Sequence, residues 1–495
     1  MINCYARDSV PLGRFFEAQM SGDVPPWSYA YVKSWRTSSF ASEGALSKGF
    51  FTDGGHLKSS LTMASSASLL AFSALTWRDS LVESGNWDRV VRNVRWAADH
   101  LMACAANDGE FVAQIGDHFI EDSYWGPPET QTTERPVFVI KKGCGDGADV
   151  LSQAVAALTG AGLLLRLPGE HQDEDASNEF LAKAQVLWDE WASTLESVWQ
   201  APEGNNTVVS RTHSDDKAWA AAWLCKRARV LGSDGASAVC DDAADRWTQL
   251  RLGEGYLTTD NYHAAALLLL LDTGAGSSAD GDTFTANLLT HYLDRWVVKP
   301  GSVQECDCNT PSSGGLCSID GSYVVQEGGP GVSQFTANMA FVALAAAHVH
   351  GPDSAETRGW QCWARDQVNW LLGANGASQA YVTGLDEIAY FQSDVRIPTN
   401  PRHRGSACKD GVCAAPGEPN PNTLPGALLG GPERVAAFED SRDAGPPTFV
   451  SIEYNAGFAA ALMVGGRGLS AIEQRLAAEG TSWSAYCAAA INLHV

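Results

Sequence analysis

Residues 65–75 read SSASLLAFSAL and continue a segment that starts at Leu61. Small and apolar residues cover every face of the helix this stretch would form. A helix with no water-facing stripe must be enclosed by others, so the stretch predicts a buried inner helix. Segments of helical periodicity recur at 90–104, 150–165, 178–198, 217–231, 237–250, 262–271, 284–295, 333–349, 357–372 and 456–463, separated by loops rich in Gly and Pro. Strand-like alternation is scarce, and residues 137–141 are its best short example. Apolar helices alternating with amphipathic ones predict an all-α toroid, an inner ring inside an outer ring. The loops 105–149, 299–332 and 375–450 are too long for plain connectors and are expected to shape a cleft at one end.

The composition fits such a body. Of 495 residues, 45% are hydrophobic and 19% charged, which suits a globular chain with a large core. No linker-like stretch interrupts it, so a single domain over 1–495 is expected. The longest apolar run, around 264–271, is too short for a membrane span. Met1 to Tyr5 has neither the basic start nor the apolar stretch of a signal peptide.

Twelve cysteines, with Cys306, Cys308 and Cys317 and then Cys408 and Cys413 in turn-rich sequence, read as disulfides stapling loops in an oxidising compartment, and a secreted protein is expected. Buried free thiols are the expectation for Cys225 and Cys487 in helical surroundings. No cysteine spacing fits zinc. The sequon Asn205-Asn206-Thr207 is one glycosylation match. A net charge of −24 argues against nucleic acid or anionic membrane as a partner, since both need a basic face. Seventeen Trp and 12 Tyr suit either a large core or a carbohydrate cleft, because aromatic faces stack on sugar rings.

Ordered blocks along the chain carry a resemblance. FFEAQMSGDVPP (15–26), SWR (34–36), SKGFFTDGGHLKSSLTMA (47–64), QIGD (114–117), YWGPPE (124–129), ERP (134–136) and GADV (147–150) come first. DDKAWAAAWL (215–224), DNYHAAALLL (260–269), SGGL (313–316) and TANMAFVALAAA (336–347) follow. YVTG (381–384), NPRHRGS (400–406), GALLGGP (426–432) and EYNAGFAAAL (453–462) close the series. Together they resemble the catalytic domain of family 9 glycoside hydrolases, the cellulases, over about nine tenths of the chain. The resemblance implies an (α/α)6 barrel with an open glucan cleft.

It also implies a pair of carboxyl groups. An inverting glycosidase needs a protonated acid for the leaving oxygen and an ionised base for water, about 6.5–9.5 Å apart. In the family the base is the second Asp of a DAGD block, which aligns here without gaps with Thr52-Asp53-Gly54-Gly55, so Gly55 stands at the base position; with a one-residue deletion Asp53 falls instead on the first, supporting Asp and the base position is empty. The acid lies six residues before the Asn of the closing block, and counting back from Asn455 gives Phe449. Phe438, Asp440, Ser451, Asn455 and Ala456 keep that signature, while its aromatic is Gly445. The family's His-x-Arg reads Arg402-His403-Arg404, its His before the WGPPE block reads Asp122, and its Trp before the DN pair reads Thr259.

Phenylalanine donates no proton and glycine accepts none. The expectation is therefore a non-hydrolytic, extracellular glycan-binding or structural protein. Tyr124, Trp125, Arg402, His403, Arg404 and Tyr454 are candidates to line the cleft, with β-glucan or a related polysaccharide as partner. The alternative is a working endo-β-1,4-glucanase with relocated carboxylates, Asp53 as base and Glu453 as acid, with Asp440 the third surviving acid. Asp53 before Gly-Gly is also an ordinary turn former. A filament or matrix subunit with assembly partners is a third reading. No cofactor or metal is expected, although loop carboxylates leave calcium possible.

Overall fold

The computed structural model describes residues 13–202, 205, 210–252, 255–275, 285–297, 316–325, 331–351, 354–387, 394–432 and 438–491. Helices come in pairs. The buried α1 (Ser60–Thr76) is backed by α2 (Trp87–Cys104), α3 (Ala148–Leu165) by α4 (Glu174–Leu187), and α5 (Ser214–Leu231) by α6 (Ala236–Thr248). Then α7 (His263–Asp272) is backed by the turn Leu288–Leu293, and α8 (Val332–His350) by α9 (Ala355–Leu371). The long α10 (Ile452–Ala478) packs on α8, and α11 (Trp483–Ile491) lies against α9 and α10. Successive members of the set α1, α3, α5, α7, α8 and α10 touch, and α10 returns to α1, closing an inner ring of six among the described residues. The fold is an (α/α)6 barrel.

The division into rings follows from the residues. Every residue of α3 is buried, and α1 and α7 are apolar or small nearly throughout. The outer α2 instead buries one stripe, with Val90, Val94, Ala97 and Leu101 inward. Some of the polar groups inside the ring are paired. Trp219 Nε1 donates to Ser68 Oγ at 2.9 Å, and Gln153 Nε2 donates to Asp216 Oδ1 at 2.6 Å. Burial, reinforced by the neighbouring Asp215, pushes Asp216 well above the usual carboxylate range. The serines of α1 thus supply hydroxyl partners where an all-leucine helix would leave buried donors unmet.

Several expectations are corrected in extent. The helix expected over 178–198 runs over Glu174–Leu187 and ends in a π-type turn, Trp188–Ala192. The one expected over 456–463 begins at Ile452, capped by the Ser451 side chain accepting Glu453 N–H, and continues through Gly465-Gly466 to Ala478. Tertiary packing on α8 and α1 overrides the local cost of two glycines. Residues 137–141 do form a strand, Val137–Lys141, antiparallel to Glu110–Ile115, which pairs in turn with Lys58–Ser59. Two apolar segments are longer than the run around 264–271. Helices Ala148–Leu165 and Val332–His350 are long and apolar enough to span, yet 100% and 83% of their apolar windows lie buried inside the protein. They are the inner wall of the barrel.

The cysteines depart from expectation at two places. Cys225 pairs with Cys240, joining α5 to α6, and Cys362 pairs with Cys487, joining α9 to α11. Cys225 and Cys487 are therefore not free thiols; each helical setting holds a second cysteine one helix away. Cys408 and Cys413 bridge a two-stranded turn, as the loop-staple reading requires, and Cys317 is disulfide-bonded. Cys306, Cys308, most of SGGL and Asn206-Thr207 of the sequon lie outside the described residues.

Candidate functional site

Three segments far apart in sequence are knitted by backbone hydrogen bonds. Asp53 bridges Ser451, and Ile452 N–H donates to Thr52 O at 3.0 Å. Arg402 pairs in parallel with Phe449, its N–H donating to Thr448 O at 2.9 Å, and Arg404 N–H donates to Gly54 O at 2.8 Å. The crossing is tight. A Cβ on Gly54 would lie 1.8 Å from Arg402 O, so only glycine fits there. This knot places Asp53, Gly55, Arg402, Phe449 and Glu453 around one cavity of about 570 Å³.

The loops expected to shape a cleft do so in part. Residues 105–149 contribute His118, Glu121, Asp122 and Trp125, and residues 375–450 contribute Arg402, Arg404 and Phe449. Most of 299–332 lies outside the described residues. The short helix His118–Asp122 is capped by Asp117, whose Oδ1 accepts Phe119 N–H at 2.9 Å and Ile120 N–H at 3.0 Å. Those amide hydrogen bonds, together with one from Asn205, lower the Asp117 pKa although desolvation opposes them.

Electrostatics sort the cavity carboxylates. Asp53 Oδ1 accepts Gly55 N–H at 2.6 Å. Burial raises its pKa against the pull of that hydrogen bond and of Arg404. Burial likewise pushes Glu453 up to about 7; its hydrogen bond with Thr259 opposes the shift, and the charges of Asp260 and Asp53 add to it. Glu453 Oε2 is enclosed without a hydrogen-bond partner among the described residues. Glu121 is held in a buried ion cluster with Arg135 and with Arg404 Nη1 at 3.3 Å. Asp122 Oδ1 receives Arg404 Nη2 at 3.0 Å, and Asp260 Oδ1 receives Arg211 N–H at 2.5 Å.

The candidate lining residues do not all reach the cavity. Trp125, Arg402, Arg404 and Tyr454 line it. The Arg402 guanidinium carbon lies 5.3 Å from the Trp125 ring centre and 5.8 Å from that of Phe449, a cation between two aromatic faces. Tyr454 packs so closely that a Cβ on Gly331 would meet its ring at 2.3 Å.

His403 is buried away from the cavity, between Gln19 Oε1 at 2.7 Å and the Ser406 N–H at 2.9 Å, and burial holds its pKa down at about 3. It caps the turn Arg404–Ala407. Tyr124 turns its hydroxyl to Pro127 O at 2.7 Å. Asp440 is spent on the loop backbone, accepting Thr399 N–H at 2.8 Å and Asn400 N–H at 2.9 Å. Among the described residues no three His, Cys, Asp or Glu side chains stand together as a metal-ligand set.

Sequence alone does not single out His118, Glu121, Arg211 or Asp260 as cavity residues, although all four line it. Asp260 opens the DNYHAAALLL block and Glu121 precedes Asp122, so position beside a family block was the available signal. Other block residues hold the frame. Arg36 of SWR is fully buried and donates to Glu129 of YWGPPE at 2.8 Å and to Met20 O at 2.6 Å.

Residues 11–462 match the profile of glycosyl hydrolase family 9. The chain belongs to that family. It is 28% identical to Endoglucanase B of Cellulomonas fimi over 464 residues, covering 90% of this chain but only 40% of that protein's length. The barrel superposes on the endoglucanase of the termite Nasutitermes takasagoensis with a TM-score of 0.75 at 26% identity, covering 94% of this chain and 99% of the other. It also superposes on endoglucanase CelQ of Clostridium thermocellum complexed with cellotriose, with a TM-score of 0.69 at 26% identity, over 93% and 70% of the two chains. This family 9 chain is thus cellulase-like in sequence and in architecture.

Proposed function

We propose that this family 9 protein binds a β-glucan or related polysaccharide in its cavity without cutting it. The carrying observation is Phe449. At the position the resemblance gives to the acid, its ring lies against the Arg402 guanidinium and forms cavity wall, with no proton to deliver. Gly55, at the position given to the base, lines the same cavity and carries no carboxylate. The complexes formed by relatives such as CelQ with cellotriose support a cello-oligosaccharide as ligand. The Trp125 ring, 38% exposed and lining the cavity, supports stacking on a sugar ring.

The second reading, hydrolysis by Asp53 and Glu453, draws on two observations. A Cβ on Gly55 would sit 3.0 Å from Asp53 Oδ1, so that carboxylate stands beside the expected base position. Glu453, pushed up to about 7, holds a proton as an acid should. It ranks second because both residues rise from adjacent bridged backbone, Asp53 beside Ser451, on one wall. Inversion instead needs its two groups on opposite faces of the sugar.

The pairs Cys225–Cys240, Cys362–Cys487 and Cys408–Cys413 support an oxidising, extracytoplasmic location. Buried residues from Phe15 to Tyr486 join one hydrophobic cluster, which supports reading 1–495 as a single domain. Calorimetry with cellotetraose beside a reducing-end assay tests the function. Binding with no product is expected, and turnover abolished by Asp53→Ala or Glu453→Gln would favour the second reading.

A further inference from the structure

The cavity cations are not equivalent. Arg404 is matched by Glu121 and Asp122, and Arg211 by Asp260. Arg402 has no carboxylate within ion-pair distance among the described residues. Its side chain makes one hydrogen bond, Nη1 to Arg442 O at 3.3 Å, which leaves most of its five N–H donors unmatched among the described residues, and the residue lines the cavity. Its position is nonetheless fixed. The backbone is paired to Phe449, and the guanidinium carbon sits 5.3 Å and 5.8 Å from the Trp125 and Phe449 ring centres. The guanidinium is thus half-buried, held between two rings and short of acceptors.

A planar guanidinium in that state matches a carboxylate or a sulfate, whose oxygens accept two parallel N–H bonds. Nearby acidic groups do not compete for it. Asp122 and Asp260 are committed to other arginines, Asp53 is turned onto Gly55 N–H, and Glu453 is enclosed.

We propose that the cavity selects a glycan bearing an anionic substituent, a uronate carboxylate or a sulfate ester, and that Arg402 receives it beside a sugar stacked on Trp125. This rests on the glycan-binding reading above and names its ligand class. The chain's net charge of −24 disfavours a densely charged polyanion. A glycan with sparse anionic groups in an otherwise neutral chain fits both the local cation and the acidic whole.

The test compares three β-1,4-linked tetrasaccharides by calorimetry on the whole protein: cellotetraose, one with a single glucuronate residue, and one with a single 6-sulfate. The expected result is at least about 10-fold tighter binding of one or both charged probes than of cellotetraose, as a charge-assisted bidentate contact supplies. The arm that gains identifies carboxylate or sulfate as the group. In Arg402→Gln the charged-to-neutral ratio should fall to near one, and in Arg402→Lys it should stay partly raised. Unfolding curves matching wild type confirm that both variants fold; if Arg402→Gln does not, the wild-type ratio together with that of Arg402→Lys decides. Equal binding of all three probes, or a preference that survives Arg402→Gln, overturns the inference and leaves glycan binding standing. Absence of binding to every probe overturns both.

Discussion

Asp53 Oδ1 accepts the N–H of Gly55 at 2.6 Å, so the carboxylate folds back onto the residue that stands at the family's base position. The turn has two consequences. It fixes Asp53 in one orientation, and it sets Asp53 Oδ1 3.0 Å and Arg404 Cζ 3.5 Å from where a Cβ at 55 would stand, so a longer side chain there must push the Asp53 carboxylate aside.

Restoring carboxylates at both degenerate positions should create activity. Gly55→Asp with Phe449→Glu is expected to release reducing ends from carboxymethylcellulose, whereas each single variant stays inactive. Acid and base each contribute about 10²–10⁴-fold. A reducing-sugar assay checks this, and an inactive but folded, glycan-binding double variant would show that more than these two groups has been lost.

Glu453 makes a prediction about pH. Its pKa is raised from 4.5 to about 7, so the folded state holds the proton more tightly than the unfolded chain. Its contribution is fully present below pH 4.5, lost as pH rises to about 7, and absent above that. Each tenfold difference in proton affinity is worth about 1.4 kcal/mol, so the loss is on the order of 3–4 kcal/mol. Glu453→Gln should therefore flatten the fall in stability between pH 5 and pH 8. Urea titrations of both proteins across that window check it, and parallel curves would count against the enclosed Glu453.

Gly54→Ala should be severe. The new Cβ would meet Arg402 O at 1.8 Å, and backbone on both sides has nowhere to go. A loss of about 3 kcal/mol or more is expected, read as a lower Tm. Gly417→Ala, at a glycine with no positive φ whose Cβ would meet nothing, is the comparison without the clash.

The Cys362–Cys487 bridge closes a separation of 125 residues and holds α11 on α9. Cys362→Ser with Cys487→Ser should cost about 2–5 kcal/mol. The Cys408–Cys413 bridge spans only 5 residues, so its removal should cost clearly less. Thermal unfolding of the two double variants gives the order directly.

The barrel is legible in sequence because burial on all faces leaves a plain mark: segments such as 65–75 carry no polar stripe, and they line the inner ring. The ends of α4 and α10 are less legible, since a π-type turn at Trp188 and a helix crossing Gly465-Gly466 are set by neighbours rather than by local preference. The site shows the same division. Position in a family block brings Gly55, Arg402, Phe449 and Glu453 to the cavity, where the structure also places them. It does not reveal that His403, one residue from Arg402, turns inward to Gln19, or that Asp440 is used by the Thr399 and Asn400 amides. Side-chain direction in an irregular loop follows from the whole packing, which spacing along the chain does not encode.

The most direct measurement of the central claim is a long-incubation product assay on cellotetraose, with binding of the same sugar followed in parallel on wild type, Asp53→Ala and Glu453→Gln. Saturable binding with no cellobiose, glucose or cellotriose formed by any of the three is the predicted result. Wild-type cleavage that disappears in either variant would contradict it and show that Asp53 and Glu453 have taken over the chemistry.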